Sequence, residues 1–125
     1  MAQSANVRDF ILTSKDRFRR ELVEIPGPNG QSFKVLIKEP SIRQRGEIFK
    51  AATKIKRNQE PEVDHAELQV WAVICCVCDP ETEQPLFEPA HKDTLLSLPA
   101  SIFDLLAKPA LSMIGEEPEE IAGNS

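Results

Sequence analysis

The sequence predicts an α+β fold in which an N-terminal β-hairpin packs on a mainly helical domain of about four helices. Two runs in the first third of the chain alternate apolar and polar residues, which is typical of strands that bury one face. Two later segments open with a helix-capping signal, and a third opens with a proline that favours a helix start. We expect one domain over residues 1–115, flexible over 1–15, and a disordered acidic tail over 116–125.

The N-terminal segment and the two strands are indicated by the period of their apolar residues. Val7, Phe10 and Ile11 have helical spacing, but so short a helix is stable only when it docks on something. The alternating runs span residues 17–25 and 31–38. The apolar residues that share a face are Val23 and Ile25 in the first run and Phe33, Val35 and Ile37 in the second. These runs predict the two strands of the hairpin.

The connection between the strands fixes their register. Pairing the apolar faces places Ile25 opposite Phe33, which requires an odd-numbered loop centred on Asn29. Pro28 suits the first position of a type I turn, and Gly30 accepts the left-handed position that closes a three-residue hairpin. Turn chemistry and side-chain pattern therefore predict the same register.

A helix is predicted after the hairpin, because Ser41 and Gln44 have the spacing of a capping box. The helix is expected to run to about Arg57. Its apolar stripe consists of Ile42, Ile48, Phe49, Ala52 and Ile55. Lys50, Lys54 and Arg57 lie together on another face of this helix. That face is a candidate for partner binding, and an ordinary solvated basic face is the alternative.

A second helix is predicted from the capping pair Asp64 and Glu67 to Cys78. Its second half, residues 70–78, is apolar on every side, so it belongs in the middle of a core. A buried strand is the alternative for this stretch, because valine, isoleucine and cysteine suit both structures. An Asp-Pro pair then ends the segment.

Prolines and a glycine divide the remainder of the chain. Leu86 and Phe87 follow an acidic turn and are expected to fold back onto the core. Pro99 is expected to be the first residue of a further helix. Pro109 must kink or divide that helix, and Gly115 suits a C-terminal cap.

Three cysteines, Cys75, Cys76 and Cys78, lie inside the apolar stretch. On a helix, Cys75 and Cys78 share a face and Cys76 points elsewhere. A structural zinc site needs a second cysteine pair or suitably spaced histidines, and His65 is roughly 15 Å from Cys75 along one helix. We therefore expect the thiols to fill the core as small apolar side chains. A metal or redox site and a catalytic thiol are the alternatives.

Composition and motifs exclude several functional classes. The N-terminus lacks the pattern of a secretory signal, and no apolar stretch reaches the ~20 residues of a membrane helix. We expect a cytoplasmic protein with free thiols. A Gly-rich phosphate loop, a His-Glu-x-x-His sequence and a Gly-x-Ser-x-Gly sequence are all absent. We accordingly expect no enzymatic activity and no cofactor.

The net charge of −5 is unevenly distributed. Residues 1–60 carry 13 lysines and arginines against 7 aspartates and glutamates, whereas residues 61–125 carry 2 against 13. Such halves attract each other within one molecule or between copies, or present two different surfaces to solvent. The basic half leaves a nucleic-acid-binding or regulatory protein as an alternative function. Nucleic acid is nevertheless not an expected partner, because the chain is acidic and offers no aromatic platform.

Two segments resemble the tail assembly chaperones of long-tailed bacteriophages and related prophages. These are residues 33–43, FKVLIKEPSIR, and residues 79–87, DPETEQPLF, which follow a helix and the apolar run. Residues 98–100, LPA, and a C-terminal helix complete the likeness, which spans about residues 16–115. A glycine is common in the acidic turn of that family, and Glu83 and Gln84 stand there in this sequence.

The resemblance implies a small, non-enzymatic protein of the host cytoplasm that is absent from the finished virion. Its implied partners are the tape measure protein, which it coats, and the tail tube subunits, which it helps recruit; self-association is implied as well. A tape measure protein presents long amphipathic helices, which apolar grooves ringed by charge can cover. The candidate binding residues are Phe33 and Val35 on the hairpin face and Lys50, Lys54 and Arg57 on the basic helix side.

Overall fold

A computed structural model describes residues 2–115, and the acidic tail predicted over 116–125 lies outside the described residues. The α+β class is confirmed. The helices are α1 (Ala2–Leu12), α2 (Ile42–Ala52), α3 (His65–Cys76), α4 (Lys92–Leu96) and α5 (Ala100–Met113). The strands are β1 (Arg20–Pro26), β2 (Ser32–Lys38), β3 (Thr53–Lys54), β4 (Glu62–Val63) and β5 (Val77–Cys78).

The hairpin has the predicted register. Strands β1 and β2 pair antiparallel, with Ile25 opposite Phe33 and Val23 opposite Val35. The core face of β2 reaches Ile37, which is fully buried. The hydrophobic pattern selects this register because a slip by one residue would turn the apolar side chains to solvent.

The turn differs in type from the prediction. Asn29 and Gly30 both have left-handed backbone, with φ of 57° and 77°, and the Gln31 N–H donates to the Pro28 carbonyl at 3.1 Å. Positive φ at both central residues is a type I′ turn, for which Asn-Gly is the favoured pair. The Gln31 carbonyl also accepts from the Gly27 N–H at 2.7 Å. Gln31 therefore bonds to both Gly27 and Pro28, so that two residues before the turn lie opposite one residue after it. This bulge adds the extra residue that makes the loop odd-numbered, as predicted.

Helix α3 begins as predicted and ends two residues early. The Asp64 carboxylate accepts from the Glu67 N–H at 3.1 Å, which caps the helix. Instead of continuing the helix, Val77 and Cys78 extend as β5 and pair with β2, which makes the sheet three-stranded in the order β1-β2-β5. The strand alternative is correct for these two residues, because the free edge of β2 offers them hydrogen-bond partners.

Helix α2 has the predicted start and a different end. The Ser41 hydroxyl accepts from the Gln44 N–H at 3.1 Å, and the Gln44 side chain accepts from the Ser41 N–H at 2.9 Å, so the capping box is confirmed. The helix ends at Ala52 and not near Arg57. From Thr53 the chain becomes β3, which pairs antiparallel with β4. The strands meet only after the chain has turned back, so local helix signals do not report this pairing.

The predicted apolar stripe of α2 is correct in its middle and wrong at its ends. Ile48 and Ala52 are buried, and Phe49 packs against the core. Ile42 and Ile55 are 75% and 77% exposed. Ile42 is the first residue of the helix and Ile55 lies beyond its end, so neither position shares the buried face.

The C-terminal elements follow most of the predicted boundaries. Phe87 packs against the core, whereas the Leu86 side chain is 41% exposed. Pro99 occupies the position immediately before α5 instead of being its first residue, and α5 runs through Pro109 as one undivided helix. Gly115 has a φ of 88°, which is the left-handed conformation expected after a helix end.

The core lies between the sheet and helices α2, α3 and α5. Helix α3 runs through its middle and contacts α2, α4 and α5, and α5 also packs on the hairpin. The largest fully buried side chains are Ile37, Leu68, Val70, Val73, Cys76, Val77 and Leu111. The prediction that the apolar stretch of α3 forms the centre of the core is confirmed.

Candidate partner-binding surface

The two hairpin candidates occupy different environments. Phe33 is 56% exposed, and a Cβ added at Gly27 would lie 2.6 Å from its ring atom Cε2, so the ring lies across Gly27. Val35 shares the face of Phe33 but is 9% exposed and belongs to the core. Along this face of β2, the side chains are exposed near the turn and become buried towards Val35. Val35 is thus placed where it supports the hairpin and offers little surface to a partner.

The three basic candidates do not share a helix face, because α2 ends before two of them. Lys50 is exposed on α2, Lys54 lies in β3, and Arg57 is exposed in the following loop. The Lys54 Nζ lies 2.9 Å from Oδ2 of Asp64. This hydrogen bond raises the pKa of Lys54 and, together with the backbone N–H of Glu67, lowers the pKa of Asp64. Lys54 therefore already has an anionic partner at the start of α3.

An apolar groove lies between α2 and α3. Its volume is about 300 Å³. The residues that line it are Gln44, Glu47, Ile48, Ala51, Trp71, Ile74 and Cys75. Trp71, the one tryptophan of the chain, is half-buried there. Sequence reasoning missed this groove. A signal that could have indicated it is the tryptophan within an otherwise aliphatic helix, since tryptophan is enriched at binding surfaces.

A charged pair borders Trp71 on the other side. The Lys92 Nζ donates to Oε1 of Glu67 at 2.6 Å and lies 5.6 Å from the centre of the Trp71 ring. The second carboxylate oxygen of Glu67 is buried and has no hydrogen-bond partner among the described residues. Among the described residues, Lys92 is the cation in direct contact with this carboxylate.

A second groove, of about 420 Å³, brings two of the thiols together. Cys75 from α3 and Cys78 from β5 both line it, beside Lys38 and Glu83. The sequence predicted that Cys75 and Cys78 share one face of a helix. Both thiols do line the same groove, but Cys75 belongs to α3 and Cys78 to β5. Within residues 2–115, no three histidine, cysteine or acidic side chains are placed to hold a metal ion.

The three thiols differ in exposure and acidity. Cys75 is half-buried, and Cys76 and Cys78 are buried. Interaction between the neighbouring Cys75 and Cys76 thiols lowers the pKa of Cys75 and raises the pKa of Cys76, which burial raises further. Burial also raises the pKa of Cys78. Two of the thiols behave as core side chains, and Cys75 ionises first.

We expect Cys75 to react with a thiol reagent in the folded protein, and Cys76 and Cys78 to react on the order of a hundredfold more slowly, because their reaction requires local opening. Reaction with a chromogenic disulfide, followed by mass spectrometry of the labelled peptides, measures this difference. The Cys75→Ser variant serves as the control and should lose the fast phase. Equal rates for all three thiols in the native protein would contradict the burial described above.

The acidic turn after β5 joins the two oppositely charged halves of the chain. Glu83 Oε1 lies 2.8 Å from Arg20 Nε and 3.5 Å from Lys38 Nζ on the hairpin. These partners lower the pKa of Glu83, and the N–H groups of Thr82 and Glu81 lower that of Asp79. Any stability from these carboxylates is present at neutral pH and is lost as the pH falls through their folded-state pKa.

Glu83 adopts a left-handed backbone, with a φ of 59°. A side chain at such a position costs about 1–2 kcal/mol, and glycine avoids this cost. Glu83 thus stands where the resembled family often has a glycine, and its backbone conformation is one that favours glycine. The carboxylate of Glu83 supplies the contacts to Arg20 and Lys38 that a glycine could not make.

Four basic residues of the first half are paired with acidic residues of the same molecule. Arg20, Lys38 and Lys54 contact acidic residues of the second half, and Arg19 contacts Glu39. Attraction between the two halves, one of the two alternatives for the uneven charge, is thus present at these contacts within one molecule. These contacts leave less positive charge available to phosphates, which lowers the weight of the nucleic-acid alternative.

Helix α1 presents apolar side chains to solvent. Val7, Phe10 and Ile11, which were predicted to need a docking surface, are 52%, 56% and 63% exposed. Arg17 lies 4.7 Å from the centre of the Phe10 ring. The helix is formed although this apolar side is largely uncovered by the described residues.

The fold is similar to that of the bacteriophage HK97 tail assembly chaperone, with a TM-score of 0.56 and 21% sequence identity. The similarity covers 90% of this chain and 95% of the HK97 chain. No known family model matches the sequence, and no curated protein does so either. Among the described residues, no helix is long and apolar enough to cross a membrane.

Proposed function

We propose that this protein is a non-enzymatic tail assembly chaperone of a phage or prophage, which binds the tape measure protein and helps bring tail tube subunits to it. The observation that carries the proposal is the fold it shares with the HK97 tail assembly chaperone over nearly the whole of both chains. The sequence resemblance in segments 33–43 and 79–87 supports the same role. The proposed place of action is the host cytoplasm during tail assembly.

We propose the groove between α2 and α3 as the site that receives a helix of the tape measure protein. An amphipathic helix binds by placing its apolar side chains in such a groove, and Trp71, Ile74 and Ile48 offer apolar surface there. Lys50 lies three residues after the groove residue Glu47 and so lies beside it on α2. Lys50 is therefore the proposed basic contact beside the groove, and Phe33, Lys54 and Arg57 remain proposed partner contacts on other elements.

The experiment is co-expression of the protein with a candidate tape measure protein, followed by size-exclusion chromatography with light scattering. A soluble complex is expected, whereas the tape measure protein alone is expected to aggregate through its exposed apolar helices. A tape measure protein that is equally soluble without this chain, or that does not co-elute with it, would overturn the proposal.

Reversing two of the proposed basic contacts should weaken capture of the tape measure protein without unfolding the domain. The variant is Lys50→Glu with Arg57→Glu, and Lys54 is left unchanged because it contacts Asp64 at the cap of α3. The matched control is Lys15→Glu with Lys108→Glu, which makes the same charge change at two exposed positions on other elements. Capture is expected to fall about tenfold or more for the first variant only. Equal capture by both variants would remove these residues from the binding site.

Trp71 supplies an independent readout of the groove itself. Because the chain has one tryptophan, its fluorescence reports directly on the space between α2 and α3. A synthetic amphipathic helix of the tape measure protein should shift the emission of the wild-type protein as it covers the indole. An unchanged spectrum while the complex forms would place the partner elsewhere on the surface.

A further inference from the structure

Among the described residues, α1 is the one α-helix that lies outside the packed domain. Helices α2 to α5 each pack extensively on another element, and α1 does not. Val7, Phe10 and Ile11 lie at positions i, i+3 and i+4, so they form one apolar stripe along α1, and all three are exposed. An isolated helix of 11 residues is only marginally stable in water. Covering the stripe would therefore stabilise this helix.

The segment that joins α1 to the sheet runs beside the groove between α2 and α3. This tether consists of residues 13–19. Phe18, within the tether, lines the groove of about 420 Å³. Gln44 and Cys75 line both that groove and the groove between α2 and α3, so the two grooves adjoin. The fixed end of the tether is thus next to the groove between α2 and α3.

The tether is long enough for α1 to reach this groove. Its seven residues span up to about 23 Å when they are extended. In the structure the Arg17 N–H donates to the Ser14 carbonyl at 2.9 Å, so the tether contains a turn and is shorter than its full reach. A short tether also keeps the helix at an effective concentration on the order of millimolar near the groove. A weak intrinsic affinity is then sufficient for docking.

The groove and the helix have complementary chemistry. Ile48, Trp71 and Ile74 offer apolar surface in the groove. A helix binds such a surface through side chains at i, i+3 and i+4, which is the spacing of the α1 stripe. Glu47 also lines the groove, and it has no ion-pair partner among the described residues. Arg8 follows the first residue of the stripe and supplies the opposite charge at its edge.

We propose that α1 docks in the groove between α2 and α3 of its own chain and occupies the place of a partner's helix there. The structure shows α1 undocked, so the helix has two positions, one with its stripe exposed and one with its stripe in the groove. The inference rests on the proposed function for the identity of the competing helix, which is that of the tape measure protein. That helix must displace α1, so its apparent affinity is reduced in proportion to the undocked fraction.

A disulfide trap tests the docking without any tail protein. Ile11→Cys places a thiol on the apolar stripe, and Cys75 supplies the second thiol in the groove. With oxidised glutathione as oxidant, the full chain of this variant is expected to form a disulfide between positions 11 and 75 within one molecule. Non-reducing electrophoresis and mass spectrometry of the peptides detect it.

The matched control for the trap is Leu12→Cys. It has the same tether but carries its thiol about 100° around the helix from position 11, outside the stripe. Because a disulfide requires specific geometry, the control should crosslink about tenfold more slowly. Equal crosslinking by the two variants, or a crosslink found only between two molecules, would overturn the proposal.

A second pair of full-length variants measures the docked population. Phe10→Gln with Ile11→Gln removes the centre of the stripe, so the emission of Trp71 should move to longer wavelength as the indole becomes more exposed. Leu12→Gln is the matched control and should leave the spectrum unchanged. The same spectrum for the wild type and the double variant would overturn the docking.

Binding of a synthetic tape measure helix separates this inference from the proposed function. The double variant should bind the helix about threefold more tightly or better than the wild type, since no docked α1 has to be displaced. Weaker binding by the double variant would mean that α1 helps to hold the partner, which overturns its role as a competitor. If no chain binds the helix although the trap closes within one molecule, the proposed function fails and the docking of α1 stands.

Discussion

Replacing Ile37 by alanine is expected to lower the free energy of unfolding by about 2–5 kcal/mol. Ile37 is fully buried on β2, the middle strand of the sheet, where it lies between Glu21 of β1 and Val77 of β5. Its side chain belongs to the core cluster that also contains α3 and α5 residues. Truncation removes apolar contacts and leaves a cavity that three elements cannot easily close together.

Urea unfolding followed by circular dichroism measures this loss. The matched control is Leu22→Ala on the adjacent strand, which removes a similar volume from a side chain that is 61% exposed. The control should cost less than about 1 kcal/mol, since little buried surface is lost. Similar midpoints for the two variants, with an unchanged denaturant dependence, would contradict the burial of Ile37 in the core.

The parts of the fold that sequence reasoning predicted are those set by neighbours in the chain. The hairpin register follows from alternation and from an odd-numbered loop centred on Asn29, and the starts of α2 and α3 follow from Ser41 and Asp64 as caps. Each of these signals acts over a few residues. Such signals can be recognised in a single sequence because the groups that form each cap or turn are close together in the chain.

The two incorrect helix ends, those of α2 and α3, involve strand partners outside the helix itself. Helix α3 stops at Cys76 because β2, some forty residues earlier, accepts the next two residues as a strand. Helix α2 stops at Ala52 because β4 pairs with the residues that follow. Valine, cysteine and threonine suit both structures, so tertiary pairing decides.

The same limit explains the candidate surface. Lys50, Lys54 and Arg57 share a face only if α2 continues, and the early end of the helix disperses them over three elements. Val35 follows the predicted alternation, but alternation identifies a buried face without saying where along the strand burial begins. The groove at Trp71 forms from two helices that meet only in the folded chain. A surface assembled in this way has no contiguous sequence signature.

Replacing Lys92 by methionine is expected to destabilise the protein by about 2 kcal/mol, because it removes the hydrogen-bonded cation from a partly buried carboxylate. Glu67 is 20% exposed and its second oxygen already lacks a partner among the described residues, so solvent can replace Lys92 only in part. Methionine retains much of the lysine stem beside Trp71, which separates the loss of charge from the loss of packing.

A double variant distinguishes the charge from the geometry. Adding Glu67→Gln to Lys92→Met removes the carboxylate that Lys92 compensates, so part of the lost stability should return even though a second native side chain has been changed. Thermal unfolding of the two single variants and the double variant gives the coupling. If the double variant is less stable than Lys92→Met by as much as Glu67→Gln alone destabilises the wild-type protein, the two side chains act independently. The short contact between them then contributes little to the position of Trp71 beside the groove.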